Sequence, residues 1–199
     1  MRKITIMEHI SLDGIVQSPG GRTEDDDGGF THGGWSMRFS DKVTGEAIVA
    51  AHDRNFDLLL GRHTYDIWSG YWPTAATGPI ADAFNAATKY VATHRPHSLG
   101  WGPAEGLGTD IVEGIRAVKA TDGPDLLLWG SSTLTPVLLE HGLADEIVLI
   151  VYPVLLGKGK RFFSDNAYPQ ELALVDTKAG ESGVFYNTYR YVGALTTES

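Results

Sequence analysis

The pattern of apolar and polar residues predicts a buried strand followed by a helix at the centre of the chain. Residues 126–129 are wholly apolar, which is typical of a strand that helices cover on both faces. Gly130 ends this run, and three hydroxyl residues at 131–133 follow as candidate helix caps. Apolar residues then recur at helical spacing, and Pro136 fits a first helical turn. The helix is therefore predicted to begin at residue 132 or 133.

Strands and helices alternate in the same way along most of the chain. Strands are predicted at residues 2–10, 56–60, 89–93, 126–129 and 147–156, and again at 172–177 and 184–191 on either side of a turn. Helices are predicted at residues 41–54, 79–87 and 111–119, with a short helix that ends at Trp68, and the Gly- and Pro-rich residues 98–108 are predicted to be a connection. This order predicts an α/β fold whose sheet is mostly parallel and has an antiparallel C-terminal edge.

Residues 17–40 differ sharply from their surroundings. Six glycines surround the acidic run 24–27, and Phe30, Trp35 and Phe39 are interspersed among them. A loop of this length inside a compact domain is usually either functional or disordered. Because the aromatic residues favour packing over another part of the molecule, we predict that the loop is a mobile lid. A solvated surface excursion is the alternative.

Length and composition narrow the choice of function. The chain has 199 residues and no recognisable linker, so we predict one domain, residues 1–199. It contains no cysteine, which excludes disulfides and cysteine metal sites and fits a reducing cytoplasm. A net charge of −9 disfavours nonspecific binding to nucleic acid or to an anionic membrane, because both need clustered Lys and Arg. Glu8 interrupts the apolar N-terminal run, so no signal peptide is predicted and we expect a cytoplasmic protein.

Polar clusters follow three of the predicted buried strands. They are Gly61, Arg62, His63 and Thr64; Thr93, His94 and Arg95; and Gly130, Ser131, Ser132 and Thr133. Ligands of open α/β sheets bind beyond the carboxyl ends of the strands, so the clusters form one site if the three strands are neighbours. Hydroxyls and helix N–H groups suit phosphates, and the planar fork of arginine suits a phosphate monoester such as the adenosine 2′-phosphate of NADP.

Each cluster also has a purely structural interpretation. Arg62 could form a surface ion pair, and His63 and His94 could be ordinary loop histidines. The hydroxyls at 131–133 could do no more than cap the helix. The joint pattern is more specific than any one of its members.

Other catalytic motifs are absent from the sequence. No G-x-G-x-x-G fingerprint opens the first helix, and the nucleophile-elbow pattern around Ser132 would need glycine where Leu134 stands. There is no H-E-x-x-H, and the acidic run 24–27 lacks the ligand spacing of a calcium loop. Hydrolysis by a triad or a metal is disfavoured, and no metal site is predicted.

Several segments, taken in order, resemble the dihydrofolate reductase superfamily, and specifically the branch that contains the reductase domain of bacterial riboflavin biosynthesis and related small reductase-like proteins. They are residues 11–14 (SLDG), 59–65 (LLGRHTY), 89–93 (KYVAT), 130–139 (GSSTLTPVLL), 142–146 (GLADE) and 153–163 (PVLLGKGKRFF). The resemblance implies a three-layer α/β/α domain, NADPH as hydride donor and commonly a homodimer.

The resemblance also implies roles for individual positions. Residues 61–64 match the turn that holds the cofactor's phosphates, and residues 93–95 match the loop near the adenosine ribose phosphate. Gly130, Ser131, Ser132 and Leu134 match the turn under the pyrophosphate, and the segment 11–14 matches the loop beside the nicotinamide. Dihydrofolate reductases proper carry a carboxylate on the helix after the mobile loop. Here only Asp41 and Glu46 are available, in no clear motif, and folate and the riboflavin precursor are not the substrates that the sequence favours.

The leading hypothesis is an NADPH-dependent reductase of a small heterocyclic or carbonyl-containing compound. Ser11, Gly14 and Trp35 are then expected at the substrate, with Asp13 as first and Asp41 as second candidate for a proton donor or orienting carboxylate. Asp13 could equally be a turn residue favoured by Gly14, and Trp35 could merely anchor the lid. The rival hypotheses are an NADPH-binding sensor or scaffold without turnover, and a reductase that uses flavin.

Overall fold

One eight-stranded sheet organises the described part of the chain, which in this computed structural model comprises residues 1–52, 54–163 and 167–196. In sheet order the strands are β4, β3, β2, β5, β1, β6, β8 and β7. Their bounds are β1 Ile4–Ser11, β2 Phe56–Gly61, β3 Lys89–Ala92, β4 Ala104–Gly106, β5 Asp125–Trp129, β6 Glu146–Tyr152, β7 Gln170–Ala179 and β8 Phe185–Ala194. The helices are α1 Lys42–His52, α2 Arg62–Tyr71, α3 Pro79–Ala86, α4 Ile111–Ala120 and α5 Leu134–Glu140.

The sheet is parallel from β4 to β6 and becomes antiparallel at β8 and β7. This arrangement confirms the predicted mixed sheet with an antiparallel C-terminal edge. Residue 53 of the predicted first helix, together with residues 164–166 and 197–199 of the predicted domain, lies outside the described residues. None of the described helices is long and apolar enough to cross a membrane.

The apolar run that the sequence places at the centre lies between two strands and under helices on both faces. β5 pairs with β1 on one side and β2 on the other. Leu127 belongs with Phe84 of α3 to one apolar core, whereas Leu126 and Leu128 belong with Ile115 of α4 to the other. A parallel strand buried on both faces has no polar side to alternate with, which explains why its sequence is uniformly apolar.

The helix after this strand begins slightly later than predicted. Residues 131–133 form a turn, in which the backbone N–H of Leu134 donates to the carbonyl of Ser131 at 2.8 Å, and α5 starts at Leu134. Thr133 makes no side-chain capping bond. The buried hydroxyl of Ser131 accepts a hydrogen bond from another strand, as described below, so it is not available as a cap.

Two strand predictions need correction. Residues 98–108 were expected to be a connection, but Ala104–Gly106 pairs with β3 as the edge strand β4, with Lys89 opposite Ala104. The predicted strand at 147–156 ends at Tyr152, because Pro153 has no N–H to continue the ladder. The residues that follow run instead alongside the segment after β1, where Val16 N–H donates to the Lys160 carbonyl at 2.9 Å.

The loop at 17–40 packs on the domain. It contains two short 3₁₀ turns, Asp27–Gly29 and Met37–Phe39, and buries Phe30 and Trp35 in the apolar core. The Trp35 ring meets the Tyr152 ring edge to face, with 5.3 Å between their centroids. The aromatic residues therefore cover part of the core, as expected, whereas the movement of the loop stays a prediction.

Candidate active site

The ends of β2 and β5 meet through hydrogen bonds. The Gly61 N–H donates to Ser131 Oγ at 2.9 Å, and Thr64 Oγ1 donates to the Gly130 carbonyl at 2.9 Å. Because β3, β2 and β5 are adjacent and parallel, their carboxyl ends lie at one edge of the sheet. The structure thus brings the clusters 61–64 and 130–133 into direct contact.

Glycine is required at this junction for two different reasons. A Cβ at Gly61 would lie 3.3 Å from Thr133 Oγ1, closer than side chains normally approach. Gly130 has φ +73°, a left-handed conformation that other residues rarely adopt, and a Cβ there would lie 3.5 Å from Thr64 Cγ2. The two glycines let the strand ends approach each other and turn away into their helices.

The N-terminus of α2 faces this junction. Gly61 is the N-cap of this ten-residue helix. Because glycine has no side chain, the N-cap offers no acceptor to the first N–H groups of the helix. These groups and the positive end of the helix dipole favour an anion. His63 and Thr64 of the first turn line the neighbouring cavity. The sequence places hydroxyls and helix N–H groups at residues 130–133, and the structure adds the N–H groups at the start of α2 to them.

Arg62 links α2 to the end of β3. Its Nη1 donates to Ser98 Oγ at 2.7 Å and to the Arg95 carbonyl at 3.2 Å. A longer contact of 3.4 Å joins the same nitrogen to Thr93 Oγ1. Its Nε pairs with Asp66 at 2.8 Å. Arg62 therefore brings the third cluster to the other two, while most of its own donors are already used.

Arg95 also lies beside the Asp66 carboxylate, and its side chain is more exposed than that of Arg62. Its Nη2 is 3.6 Å from Asp66 Oδ2, and the side chain is 67% exposed. The two guanidiniums consequently flank Asp66 at one edge of the site. His94 is exposed, and neither it nor Arg62, Thr93 or Arg95 lines the cavity. The third cluster joins the other two through the contacts that Arg62 makes with Thr93 and with the Arg95 carbonyl.

A cavity of about 250 Å³ opens between β1, the end of β5, α2 and the 17–40 loop. One wall is aromatic and contains Trp68, Trp72, Phe84 and Trp129. The remaining lining includes Glu8, His9, Gln17, Glu24, Asp25, His63, Thr64, Lys160 and residues 130–133. A concave site with an apolar wall and a few convergent polar groups is the usual form of a small-molecule site.

The 17–40 loop closes one side of this cavity through ion pairs. Asp25 lies 2.8 Å from Lys160 Nζ and 3.4 Å from His63 Nε2. Burial raises the pKa of Asp25, but the hydrogen bond and charge of Lys160 outweigh it and the net pKa is lowered. Gln17 ties the segments together, since its Oε1 accepts from Lys160 N–H and its Nε2 donates to the Asp27 carbonyl, both at 3.0 Å. The closed loop thus places a carboxylate at the N-terminus of α2.

Glu8 lines the cavity but lies outside the predicted site residues, as do Asp25, Lys160, Trp68 and Trp72. It is 2% exposed, lines the cavity, and its Oε1 has no hydrogen-bond partner in the described part of the chain. Burial raises the pKa of Glu8 to about 8; a backbone hydrogen bond at Gly130 opposes the rise and the charge of Glu24 adds to it. The available signal was a single carboxylate in the middle of the first predicted strand.

His9, the next residue on β1, is neutral at physiological pH. Burial lowers the pKa of His9 to about 4. Its Nδ1 lies 2.7 Å from the Tyr152 hydroxyl, and its ring stacks on Trp129 with 5.4 Å between centroids. The imidazole therefore extends the aromatic wall and carries no charge into the cavity.

Asp13 lies outside the cavity lining, and its carboxylate holds the segment after β6 through hydrogen bonds. Ser11 Oγ donates to it at 2.6 Å, and the backbone N–H groups of Leu156 and Gly157 donate at 3.1 and 2.6 Å. Burial raises the pKa of Asp13, but these hydrogen bonds outweigh it and lower the pKa to about 2. An ionised group whose oxygens all accept does not match the proton donor expected here. The turn interpretation, with Gly14 at φ +85°, matches the geometry.

Asp41 and Trp35 likewise have structural positions. Asp41 accepts from Ser182 Oγ and from Thr44 N–H, and these bonds lower its pKa to about 2. It caps the first turn of α1 and does not line the cavity. Trp35 is 7% exposed, and its Nε1 donates to the Gln17 carbonyl at 2.7 Å, so it anchors the loop. The expected substrate contacts Ser11, Gly14 and Trp35 all lie outside the cavity lining.

The described residues hold no cluster of His, Cys, Asp and Glu able to bind a metal ion.

Comparison with known proteins agrees with the resemblance seen in the sequence. Residues 2–186 match the model of the RibD C-terminal domain family. The chain is 26% identical over 200 residues to the uncharacterised protein YyaP of Bacillus subtilis (strain 168), a match that covers 96% of each protein.

Two solved structures show the same fold. One is from Shewanella sp. PV-4 and is described as a riboflavin biosynthesis protein; its TM-score is 0.65 at 17% identity, over 96% of this chain and 99% of that one. The other is dihydrofolate reductase from Enterococcus faecalis in complex with NADP(H) and RAB-propyl; its TM-score is 0.58 at 13% identity, over 95% of this chain and 96% of that one. The predicted dihydrofolate-reductase-like α/β fold is confirmed.

Proposed function

Since the chain belongs to the RibD C-terminal domain family, which is reductase-like, we propose that it is an NADPH-dependent reductase of a small heterocyclic or carbonyl-containing substrate, pterin-like or pyrimidine-like. The observation that supports this most is the junction of the β2 and β5 ends, which lies beside the uncapped N-terminus of α2 and an aromatic cavity. When bound, NADPH supplies a hydride.

The residues at the sheet edge fit the charged parts of this cofactor. The first N–H groups of α2 and the hydroxyls of Ser132 and Thr133 would hold the pyrophosphate, because they are neutral donors around a positive helix end. Arg95, helped by Arg62, would hold the adenosine 2′-phosphate. Ser131 supports this group by fixing Gly61 rather than by binding phosphate itself.

The cavity fits a flat substrate. Trp68, Trp72 and Trp129 provide an apolar wall against which a planar ring packs, and the 17–40 loop excludes water from the opposite side. A dry, shaped cavity favours hydride transfer because it holds the two reacting rings close and prevents side reactions.

The proposal is tested in two steps with the purified protein. Titration of NADPH and NADH should show tighter binding of NADPH, with Arg116→Ala as a control, because Arg116 pairs with Glu113 on α4. Loss of NADPH absorbance is then followed with pterins, dihydrofolate, pyrimidine derivatives and quinones. Binding without oxidation by any acceptor would favour a sensor or scaffold, and a yellow preparation would favour a flavin enzyme.

We also propose that the protein forms a homodimer, as the resemblance implies. β7 is the edge strand on the antiparallel side of the sheet, and its residues Leu174 and Val175 are 58% and 59% exposed. Light scattering after size-exclusion chromatography measures the mass directly, and a monomer at all concentrations would contradict this part of the proposal.

A further inference from the structure

Glu8 occupies an unusual position for a carboxylate. It lies in the interior of β1, opposite Leu149 of β6, and one residue beyond the end of the pairing with β5, where Met7 lies opposite Trp129. The carboxyl group is buried, yet it borders the cavity together with Trp129 and Gly130. Its Oε1 accepts no hydrogen bond from any described residue.

Two other carboxylates, the buried Asp57 and the half-buried Asp13, have hydrogen-bond partners for both of their oxygens. Asp57 pairs with Arg2 and accepts from Thr88 N–H at 2.9 Å. Asp13 accepts from one hydroxyl and two backbone N–H groups. Among the described residues, Glu8 is the one carboxylate with a buried oxygen that has no hydrogen-bond partner, and a structural role does not account for it.

The groups that face Glu8 favour its neutral form. The loop contributes Glu24 and Asp25, β1 contributes the neutral His9, and α2 contributes His63. Lys160, from the segment after β6, is committed to Asp25 and Asp27. The cavity lining from β5 and the turn after it, residues 129–133, has no titratable side chain. Burial without a cation keeps the pKa near 8, so the carboxyl is largely protonated at neutral pH.

We propose that Glu8, as a neutral carboxylic acid, donates the proton that completes the reduction of a substrate held against the aromatic wall. This inference rests on the proposed reductase function. The substrate then contains a C=N or C=O bond whose heteroatom faces Glu8.

The reaction balances as follows. The substrate carbon gains a C–H bond with the electron pair of the hydride, and NADPH becomes NADP⁺. The neighbouring heteroatom gains the proton as the O–H bond of Glu8 breaks, which leaves a Glu8 carboxylate. Water returns a proton to Glu8 between turnovers. Two electrons and two hydrogens are thus added across one double bond, and no further reductant is needed.

Trp72 narrows the substrate class further. Its Nε1 is buried and donates no hydrogen bond to any described residue. Trp72 also borders the same cavity as Glu8. With Glu8 protonated, the cavity offers two unused donors, Glu8 O–H and Trp72 N–H. A planar heterocycle with two acceptors, such as an oxo- or imino-substituted ring, satisfies both.

The test compares the wild type with Glu8→Gln and Glu8→Asp. Glutamine keeps the size of the side chain and a donor, but it cannot release a proton, so turnover should fall about 100-fold or more while NADPH affinity is unchanged. Aspartate should restore part of the rate. The wild-type rate should decrease above pH of about 8, and the residual Glu8→Gln rate should lack this decrease. Glu105→Gln, in the exposed edge strand β4, is the matched control.

A spectroscopic measurement makes the outcome independent of turnover. The infrared band of a protonated carboxyl should be present in the wild type at neutral pH and absent in Glu8→Gln. Its absence from the wild type, or full turnover by Glu8→Gln, would overturn the role of Glu8 alone. If neither protein oxidises NADPH with any acceptor, the proposed function fails as well.

Discussion

The backbone N–H of Gly61 donates a hydrogen bond to Ser131 Oγ at 2.9 Å, which joins strand ends 70 residues apart in sequence. Ser131→Ala removes the acceptor and leaves a buried N–H without a partner. We expect the free energy of unfolding to fall by about 1–3 kcal/mol and the affinity for NADPH to decrease with it. Urea unfolding and NADPH titration measure the two effects.

Ser132→Ala provides the comparison for that variant, because Ser132 is adjacent and less buried. It should leave the free energy of unfolding nearly unchanged. Equal loss of stability in both variants would contradict the specific importance of the Gly61 bond.

Arg95 is expected to determine the preference for NADPH over NADH. Its side chain is exposed and lies beside Arg62 and Asp66, so a phosphate can reach it without displacing buried contacts. Arg95→Ala should weaken NADPH binding about tenfold or more, the value of one charge-assisted hydrogen bond, and leave NADH binding unchanged. Parallel titrations with the two cofactors measure this, and an equal loss for both would place Arg95 away from the 2′-phosphate.

Asp25 is expected to slow the entry of the cofactor. Its carboxylate lies 3.4 Å from His63 at the start of α2, where the phosphates would bind, and it holds the loop closed through Lys160. Asp25→Asn should therefore increase the association rate of NADPH in stopped-flow measurements. Asp26→Asn changes the net charge equally but removes none of the ion pairs found in the structure, and it should have little effect.

Asp13 is expected to affect stability in a pH-dependent way. Because its folded-state pKa is lowered to about 2, its contribution is present above the ordinary value of 3.8 and is lost as the pH falls toward 2. Asp13→Asn should lower the free energy of unfolding at neutral pH by on the order of 1–2 kcal/mol, and the difference should disappear in acid. Denaturant unfolding across this pH range measures it. A large loss of turnover in a variant of unchanged stability would instead return Asp13 to the list of catalytic candidates.

The sequence predicts the fold well where each element carries its own pattern. The run 126–129 needs no partner to be recognised as a buried strand, and the glycines and hydroxyls after it mark the turn. β4 has only three residues in a Gly- and Pro-rich segment, so no alternation reveals it. Its existence depends on the hydrogen bonds that β3 offers.

The site was predictable at its sheet edge and not in its interior. Clusters 61–64 and 130–133 could be placed together because parallel neighbouring strands end at the same side. The state of Glu8 depends on burial by β5 and β6, which no local pattern contains. The backbone partners of Asp13 are 143 and 144 residues away, and Asp41 is held by Ser182. The sequence alone therefore does not distinguish these hydrogen-bonded carboxylates from catalytic ones.

The Gln17 side chain hydrogen-bonds to the backbone of Lys160 and to the backbone of Asp27. These bonds connect the 17–40 loop to the segment after β6. At the other end of that segment, the exposed Gly157 N–H donates a hydrogen bond to the Asp13 carboxylate. For the proposed NADPH complex, substitutions at Asp13 are therefore expected to alter the rate of cofactor exchange through the segment 157–160, although Asp13 does not line the cavity.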